Sequence, residues 1–313
     1  MSEAKQTNAD AGAVAAPAGR LSLEWLNLEF ASICNLRCKW CSLDHDKPKQ
    51  FMSRELLAKV LDDLIADAGI RLDRIELHNA GETLLHPDLA GMFAEIKARK
   101  AALPRINLLT NAGALNAARI DTILGSGAID DIRFSVDGGT RELFEDLRRP
   151  AKWAAIRANI HAFLDANAAA PRRLRTGVIC IVDPGRPLTT DWMEPEFRAL
   201  FARLDDVSLR HPHNWDGSAE LGIDDRGYER HAESMLAKKK VCYFLVKDMV
   251  VLPNGDATVC CADLNARGVI GNANQSTLRE LYFSSRRQHM LRLFEAGRKH
   301  EIELCRGCTG YYQ

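Results

Sequence analysis

The sequence lacks an excess of either charge, since 42 Lys and Arg residues balance 42 Asp and Glu residues among 313. A chain without basic excess is not drawn towards phosphate backbones or anionic membrane surfaces. No apolar run approaches the ~20 residues that a bilayer span requires, and the N-terminus lacks the basic start and apolar segment of a secretion signal. We therefore expect a cytoplasmic protein with neither a nucleic-acid nor a membrane partner.

Composition is otherwise that of a globular protein, with 46% hydrophobic and 27% charged residues. The length predicts about two domains, at roughly 150 residues each. Nine cysteines are present. In a cytoplasmic chain, clustered cysteines indicate metal ligation or catalysis rather than disulfides.

Strand and helix patterns alternate along the first two thirds of the chain. After an Ala-rich tail, residues 1–20, which we expect to be disordered, the periodicity predicts strands at Leu21–Phe30, Arg74–His78, Arg105–Thr110, Asp130–Val136, Leu174–Val182 and Val207–Arg210. Predicted helices are Ser53–Ala68, Pro87–Lys100, Asn116–Leu124, Arg141–Arg148, Lys152–Asn167 and Trp192–Leu204. Such alternation is typical of an α/β fold with a parallel sheet, and about six units suggest an open or partial barrel over residues 21–215.

The pattern changes after His211. We expect a linker and helix over 216–240, with the helix near Tyr228–Lys239, and a small α+β domain over 241–313. Within that domain, Phe244–Leu252 and Ala257–Cys261 flank an Asn-Gly-Asp turn and predict a β-hairpin. Two short helices, Thr277–Ser284 and Arg286–Ala296, are predicted to follow.

A first group of cysteines, Cys34, Cys38 and Cys41, lies within eight residues directly after the first predicted strand. Thiolates bind zinc and iron–sulfur clusters, but a structural zinc site takes four protein ligands. Three thiolates on a cubane leave one iron open to a small chelating ligand. The alternative is a zinc site completed by His45.

The spacing Cys-x3-Cys-x2-Cys, with Trp40 before the last cysteine, closely resembles the radical S-adenosylmethionine (SAM) superfamily. The resemblance implies a partial (β/α)6 barrel, a [4Fe-4S] cluster on these three cysteines, and SAM bound to the open iron beside Trp40.

Later motifs extend the resemblance over about residues 21–210. Ala80-Gly81-Glu82 resembles the family's Gly-Gly-Glu motif, with Ala80 as a departure, and implies that Gly81 and Glu82 receive the SAM amino group. The remaining SAM contacts that the resemblance implies are Thr110 and Asn111, Ser135 and Asp137, and Ile179 or Ile181 beside adenine. Taken alone, Gly81 and Gly113 are typical turn glycines, and Asp137 is typical of a helix cap or a turn.

A second group of cysteines lies in the C-terminal domain: Cys242, Cys260, Cys305 and Cys308, with Cys261 adjacent. Four thiolates can close a second [4Fe-4S] cluster, which favours electron transfer over substrate binding. A zinc site is the alternative, because Cys305-x-x-Cys308 is also half a zinc ribbon. The hairpin and final Cys-x-x-Cys resemble the SPASM/twitch extension of radical SAM enzymes, in its one-cluster form. Cys261 is predicted to point away from the cluster, since successive strand side chains alternate.

The resemblance implies reductive cleavage of SAM to a 5′-deoxyadenosyl radical that abstracts a substrate hydrogen. We expect a small polyol, sugar or aminocyclitol to be oxidised, with the second cluster as electron acceptor and a flavodoxin or ferredoxin-type protein as donor. Epimerisation, with Cys261 or Cys180 as hydrogen donor, and peptide modification are alternatives; only about 20 residues precede the first strand, which disfavours a leader-binding domain. A non-enzymatic iron–sulfur or zinc protein is the remote alternative.

Substrate-facing residues are weakly marked. His78 and His213 lie at predicted strand ends and are candidates for the proton acceptor, although core or surface histidines are equally typical there. Cys180 is predicted to be a core thiol. Arg148 and Arg149 are expected to be solvated charges at a helix end, and contact with an anionic group is the alternative.

Overall fold

The fold was analysed in a computed structural model that describes residues 19–219, 221 and 242–309. The predicted tail and the predicted helix near Tyr228–Lys239 lie outside, or almost entirely outside, these ranges. No helix within them combines the length and the apolar character needed to cross a bilayer.

A single large sheet organises the described residues. Its strands are β1 (Leu21–Leu28), β3 (Ile70–Leu77), β4 (Arg105–Thr110), β5 (Asp131–Ser135), β7 (Arg175–Ile181), β8 (Asp206–Arg210), β9 (Asp248–Val251), β10 (Asp256–Thr258) and β11 (Val269–Asn272), in the spatial order β11-β10-β9-β1-β3-β4-β5-β7-β8. A separate two-stranded ribbon pairs β2 (Arg37–Cys38) with β6 (Arg148–Arg149).

Helices connect these strands. They are α1 (Arg54–Ala66), α2 (Leu89–Arg99), α3 (Ala117–Ser126), α4 (Arg141–Leu147), α5 (Trp153–Ala169), α6 (Pro195–Phe201), α7 (Tyr243–Lys247), α8 (Leu278–Tyr282) and α9 (Ser285–Glu295). Short 3-10 turns cover Thr83–Leu85, Lys100–Ala102, Lys299–Glu301 and Glu303–Cys305. The six barrel strands pair in parallel, which confirms the predicted α/β partial barrel.

One face of the barrel sheet is apolar and carries the helices. Ile75 pairs with Ile106, and Leu108 pairs with Ile132, all fully buried. Phe134 packs against Phe163 of α5 with ring centroids 5.6 Å apart. Burying this alternating apolar set holds the helical layer on the sheet.

The opposite, concave face is polar. Neighbouring strands place Asn27, Glu76, Asn107 and Asp131 side by side in register. All four are nearly buried. Because parallel strands end at the same edge, the loops that follow this polar row meet above it.

The C-terminal part continues the barrel sheet instead of forming a detached unit. β9 lies parallel to β1, with Trp25 opposite Asp248, and β10 and β11 follow in antiparallel order. The predicted strand Phe244–Leu252 is wrong in its first half, because residues 243–247 form the helix α7. Aromatic and β-branched residues favour strands, but here Phe244 stacks on Trp25 at 5.7 Å.

Candidate functional site

The first cysteine group lies on the loop after β1 and on the ribbon. Cys38 belongs to β2 and is held opposite Arg148 of β6. The loop is also tied internally, since the backbone N–H of Cys41 donates to the Cys38 oxygen at 3.2 Å and that of Leu36 donates to Cys34 Sγ at 3.4 Å. The structure therefore brings all three thiols to one loop at the carboxyl end of the barrel strands.

Burial raises the pKa of each of these thiols, that of Cys38 to about 12. A metal ligand must be a thiolate, so these cysteines need positive charge beside them. The irons of a cluster supply such charge, and three soft sulfur donors suit iron–sulfur chemistry. The donor set thus fits the expected cluster.

Glu82 is fixed by three hydrogen bonds from the end of β4 and from its own turn. Its Oε1 accepts from Thr110 Oγ1 at 2.7 Å and from the Leu84 backbone N–H at 3.1 Å, and its Oε2 accepts from the Asn111 backbone N–H at 2.8 Å. Burial raises the pKa of Glu82, and these donors oppose that rise. A carboxylate has about four acceptor positions, so one remains for an ammonium group.

Gly81 allows the Glu82 turn to approach the cysteine loop. A Cβ at Gly81 would lie 1.9 Å from the backbone oxygen of Ala31, which no other residue can tolerate. The next backbone N–H, that of Glu82, donates to the Ile33 oxygen at 2.8 Å. The glycine is therefore required by close packing against the segment that leads to Cys34.

Asn111 connects the end of β4 to the same loop. Its Nδ2 donates to Asn35 Oδ1 at 2.9 Å and lies 3.6 Å from Cys34 Sγ, and its Oδ1 accepts from the Gly113 backbone at 2.7 Å. Thr110 and Asn111 thus both contact Glu82, and Asn111 also contacts Cys34, where the resemblance predicts SAM contacts.

Arg148 is the main correction to the predicted site. It is buried rather than a solvated helix-end charge, because α4 ends at Leu147 and Arg148 enters the ribbon. Its Nε donates to Asp137 Oδ2 at 2.8 Å, and its Nη2 donates to Ser135 Oγ. Burial opposes its charge, but Asp137 and the neighbouring Cys38 thiol outweigh that effect and raise its pKa.

The predicted contacts Asp137, Ile181 and Trp40 lie around this arginine and the loop. Asp137 Oδ1 also accepts from the Ile181 backbone N–H at 2.8 Å, which joins β5 to β7. Trp40 is half-buried, and its Nε1 donates to the Leu221 oxygen at 2.9 Å. Trp215 Nε1 donates in turn to the Trp40 oxygen at 2.7 Å.

The second cysteine group assembles from distant positions. Burial and the neighbouring thiols of Cys308 and Cys242 raise the pKa of Cys305. Cys242 likewise acts on Cys260, whose pKa is raised by its Cys261 hydrogen bond and by burial. The structure therefore brings together all four predicted ligands.

Cys261 does not follow the strand alternation that the sequence suggested. β10 ends at Thr258, so the two adjacent cysteines lie in a loop, and their side chains hydrogen-bond each other. The Cys261 backbone N–H donates to Asp248 Oδ2 at 2.8 Å, and Asn27 Nδ2 donates to Asp248 Oδ1 at 2.5 Å. Burial raises the pKa of Asp248 to about 7. Sequence reasoning missed this carboxylate, since nothing local marks it as buried.

Within the described ranges, no three His, Cys, Asp or Glu side chains are spaced to hold a single metal ion. A cubane is a larger group than one ion, and its thiolates stand correspondingly further apart.

The two cysteine-bearing loops contact each other. Asn265, four residues after Cys261, accepts from the Asp44 backbone N–H at 2.9 Å and donates to the Ser42 oxygen at 2.7 Å. Lys47 Nζ donates to the Leu264 oxygen at 2.7 Å. A small apolar cluster of Leu43, Ala80 and Leu264, with Cys34, Cys41 and Trp215 against it, fills the space between the loops.

The two candidate histidines differ in what their ring nitrogens do. His213 Nδ1 accepts from the Trp215 backbone N–H at 2.9 Å, whereas His78 Nε2 lies 3.8 Å from Glu76 Oε2. Burial and Arg210 lower both pKa values, with Arg74 adding to the effect on His78, to about 3 for His213 and about 4 for His78. Both rings are therefore neutral at pH 7.

Comparison with known families assigns this arrangement. Residues 28–185 match the radical SAM superfamily, and residues 242–309 match an iron–sulfur cluster-binding domain, SPASM. The chain belongs to the radical SAM superfamily. This confirms the resemblance seen in the sequence, and a radical SAM enzyme with a SPASM domain uses [4Fe-4S] clusters and SAM as cofactors.

Individual proteins share limited sequence identity with this chain. A "tungsten-containing aldehyde ferredoxin oxidoreductase cofactor-modifying protein" of Pyrococcus furiosus is 33% identical over 116 residues, which are 37% of this chain and 31% of that protein. The structure of BtrN in complex with AdoMet and 2-DOIA covers 91% of this chain and 92% of its own, at 16% identity and a TM-score of 0.60. Streptococcus suis SuiB bound to the precursor peptide SuiA covers 94% of this chain and 72% of its own, at 13% identity and a TM-score of 0.63. At these identities, the two structures show a shared fold.

Proposed function

We propose that this radical SAM enzyme dehydrogenates a small polar substrate, a polyol, sugar or aminocyclitol. The observation that carries the proposal is the contact between the three-thiol loop and the four-thiol group. Both lie at the carboxyl end of a barrel whose concave face is polar. When bound, the first cluster and SAM supply the 5′-deoxyadenosyl radical, and the second cluster supplies an electron acceptor.

The three-thiol loop is the proposed site of the first cluster, with Cys34, Cys38 and Cys41 as ligands. Glu82 offers its remaining acceptor position to the SAM amino group, and Gly81 lets it approach. Arg148, held at 2.8 Å from Asp137, places a buried positive charge beside Cys38. A buried guanidinium of this kind stabilises thiolates and orients the Asp137 and Ser135 side chains towards a bound ligand.

The polar concave face supports a hydrophilic substrate. Buried acceptor atoms without a hydrogen-bond partner lie near it among the described residues: Asn107 Oδ1, Asn79 Oδ1 and Glu29 Oε1. Burying such an atom unpaired costs about 1–3 kcal/mol, so a ligand that brings hydroxyl or ammonium donors is favoured there. Glu29 Oε1 also lies 4.0 Å from Lys47 Nζ, on the loop that follows Cys41.

His78 is the better proton acceptor of the two predicted histidines. Loss of a proton from an oxidised substrate carbon or hydroxyl needs a neutral base with a free ring nitrogen. His213 uses its Nδ1 to accept from the Trp215 backbone, which leaves its Nε2 protonated in the neutral ring. His78 is neutral and lies two residues after Glu76, on the same polar face of the sheet. We therefore assign His78 as the acceptor of the substrate proton.

The epimerase alternative requires a thiol that can return a hydrogen atom to the substrate. Cys180 does not meet that need, because it is fully buried and follows Val178 on the helix-facing side of β7. Cys261 is the remaining candidate. The peptide alternative is supported by the fold shared with SuiB, whose structure contains its precursor peptide.

The first test is anaerobic reconstitution followed by incubation with SAM and dithionite. The proposal predicts 5′-deoxyadenosine and methionine in equal amounts, and faster formation with one member of a panel of cyclitols, aminocyclitols and sugars. Acceleration by a peptide and by none of these compounds would reject the proposed substrate class. The proposal also includes a cytoplasmic location, where thiols remain reduced. A flavodoxin or ferredoxin-type protein is the proposed electron donor.

A further inference from the structure

The outer face of the β2–β6 ribbon has a charge pattern that fold stability does not explain. Arg37 and Arg149 are directly opposite each other in the antiparallel register, so their side chains leave the same face. Like charges directly across two strands destabilise a ribbon. Arg37 donates to the backbone oxygens of Cys34 and Leu36 at 3.2 and 3.3 Å, and these contacts bring no carboxylate to its guanidinium.

Further exposed cations surround this pair. Lys39 has 53% of its side chain exposed, Arg149 has 68%, and both share the single carboxylate of Asp146. Lys152 is 72% exposed and lies 2.9 Å from Glu145. We call Arg37, Lys39, Arg149 and Lys152 the basic ribbon face. Its four cations exceed the two carboxylates that contact them.

The inner face of the same ribbon carries a ligand of the first cluster. Cys38 pairs with Arg148 one residue along from the Arg37–Arg149 pair, and the Lys39 backbone N–H donates to the Leu147 oxygen at 2.8 Å. A protein docked on the basic ribbon face is therefore separated from the Cys38 thiol by a single layer of two short strands. Electron transfer slows steeply with distance, so such a place suits a redox partner.

We propose that the basic ribbon face is the docking surface for an acidic one-electron carrier of the flavodoxin or ferredoxin type. In this step, the reduced carrier loses one electron and the cluster held by Cys34, Cys38 and Cys41 gains it. The negative surface of the carrier supplies counter-charge to Arg37, which donates to backbone oxygens, and to Arg149, which shares Asp146 with Lys39. The inference rests on the first cluster of the proposed function and adds the place where its electron enters.

Another group of basic side chains provides a matched comparison. Lys100, Arg105, Arg172 and Arg173 lie at or before the N-terminal ends of the strands, at the opposite end of the barrel from the cysteine loops. Each has an aspartate partner, as Arg173 does with Asp205 at 2.7 Å. Arg172 is 51% and Arg173 is 56% exposed, close to the value for Lys39, so reversing both changes the net charge as much as reversing two cations of the ribbon, but far from it.

The test uses the reconstituted full-length enzyme and an oxidised bacterial flavodoxin, with the Kd measured by calorimetry at two salt concentrations. The double variant Lys39→Glu/Arg149→Glu is expected to raise the Kd about tenfold and to flatten its salt dependence, because complementary charge steers and holds such complexes. The matched double reversal Arg172→Glu/Arg173→Glu should remain within about twofold of wild type. Lys39→Arg/Arg149→Lys should bind as wild type does.

The EPR signal of the reduced first cluster measures how fast flavodoxin hydroquinone reduces it. This reduction should be slowest in the variants that bind flavodoxin most weakly. Cleavage of SAM driven by dithionite, which needs no docking, should be equal in all variants. The docking surface would be overturned if wild type does not bind flavodoxin or if the double ribbon reversal leaves binding unchanged. Equal weakening by Arg172→Glu/Arg173→Glu would also overturn it. Loss of dithionite-driven cleavage in wild type would instead reject the proposed function. If the double reversal fails to fold, Lys39→Gln/Arg149→Gln serves with the same expected order.

Discussion

The two cysteine groups show how one ligand type is used in two ways. The first is contiguous, with three thiols on one loop, a buried guanidinium beside Cys38 and an amide 3.6 Å from Cys34. The second is assembled from the residue before α7, the loop after β10 and the C-terminal turn, beside the buried carboxylate of Asp248. Under the proposed ligand assignment, three local thiols leave one iron open to a ligand. Four distant thiols would close a cluster and would also hold the C-terminal segment in place.

The largest expected difference between the groups comes from removing the first one. Changing Cys34, Cys38 and Cys41 together to Ala should leave about four of the about eight irons that two cubanes contain, and should abolish 5′-deoxyadenosine formation. Iron analysis and chromatography after anaerobic reconstitution measure both. Retained SAM cleavage would contradict the assignment of that reaction to the first cluster. Recovery of zinc in place of the remaining irons would contradict electron transfer by the second group.

A matched pair of substitutions tests the second group. Cys260→Ala should remove about four irons and lower thermal stability, because the cluster closes loops between distant segments, while SAM cleavage at the first cluster persists. Cys261→Ala should keep the irons, since its neighbour is the assigned ligand. Mössbauer or EPR spectra distinguish the two variants. The reverse result would move the ligand assignment to Cys261 and leave the proposed reaction in place.

Glu82 should matter for SAM and not for iron. In Glu82→Gln, the amide group cannot accept from all three donors, so Thr110 Oγ1, the Leu84 N–H or the Asn111 N–H loses its partner. We expect SAM affinity to fall about tenfold, consistent with one buried hydrogen bond to a charged group worth about 1.5–3 kcal/mol. Equilibrium dialysis with SAM measures this effect. The exposed Glu142→Gln change is the control, and an unchanged SAM affinity in Glu82→Gln would mean that the motif has another role.

The smallest effect concerns acid sensitivity. Burial, Arg210 and Arg74 lower the pKa of His78 to about 4, so the folded protein binds fewer protons than the unfolded chain between about pH 6.5 and 4. Stability is therefore fully present above pH 6.5 and falls as the pH is lowered. His78→Asn should recover about 1 kcal/mol of that loss at pH 5.5, or roughly 2–4 °C in Tm.

Thermal unfolding of the reconstituted protein at pH 7.5 and 5.5 tests this prediction. The exposed His289→Asn change should leave the pH dependence as in wild type. Equal pH dependence in His78→Asn and wild type would show that His78 is not held neutral by its surroundings.

Much of the barrel and the first site could be predicted because their signals are local. The Cys34–Cys41 spacing, the Gly81 turn and the polar residues that end each strand are all short motifs at the same edge of a parallel sheet. The sequence pattern predicts β4 at its observed bounds, Arg105–Thr110, but predicts β3 only from Arg74, although that strand begins at Ile70.

The rest depended on contacts between distant parts of the chain. Arg148 was misjudged because helical periodicity continued up to it, although Pro150 two residues later disfavours a longer helix. Its burial comes from pairing with Cys38, 110 positions earlier, which periodicity does not report. Similarly, Asp248 is buried only because β9 joins the open edge of β1.

The most direct test of the proposed oxidation is one turnover experiment in deuterated water with the substrate found in the panel. The account predicts a product with two hydrogens fewer than the substrate and no solvent deuterium at the attacked carbon. A product of unchanged composition that carries one deuterium there, and whose formation is abolished by Cys261→Ala, would contradict oxidation and establish epimerisation.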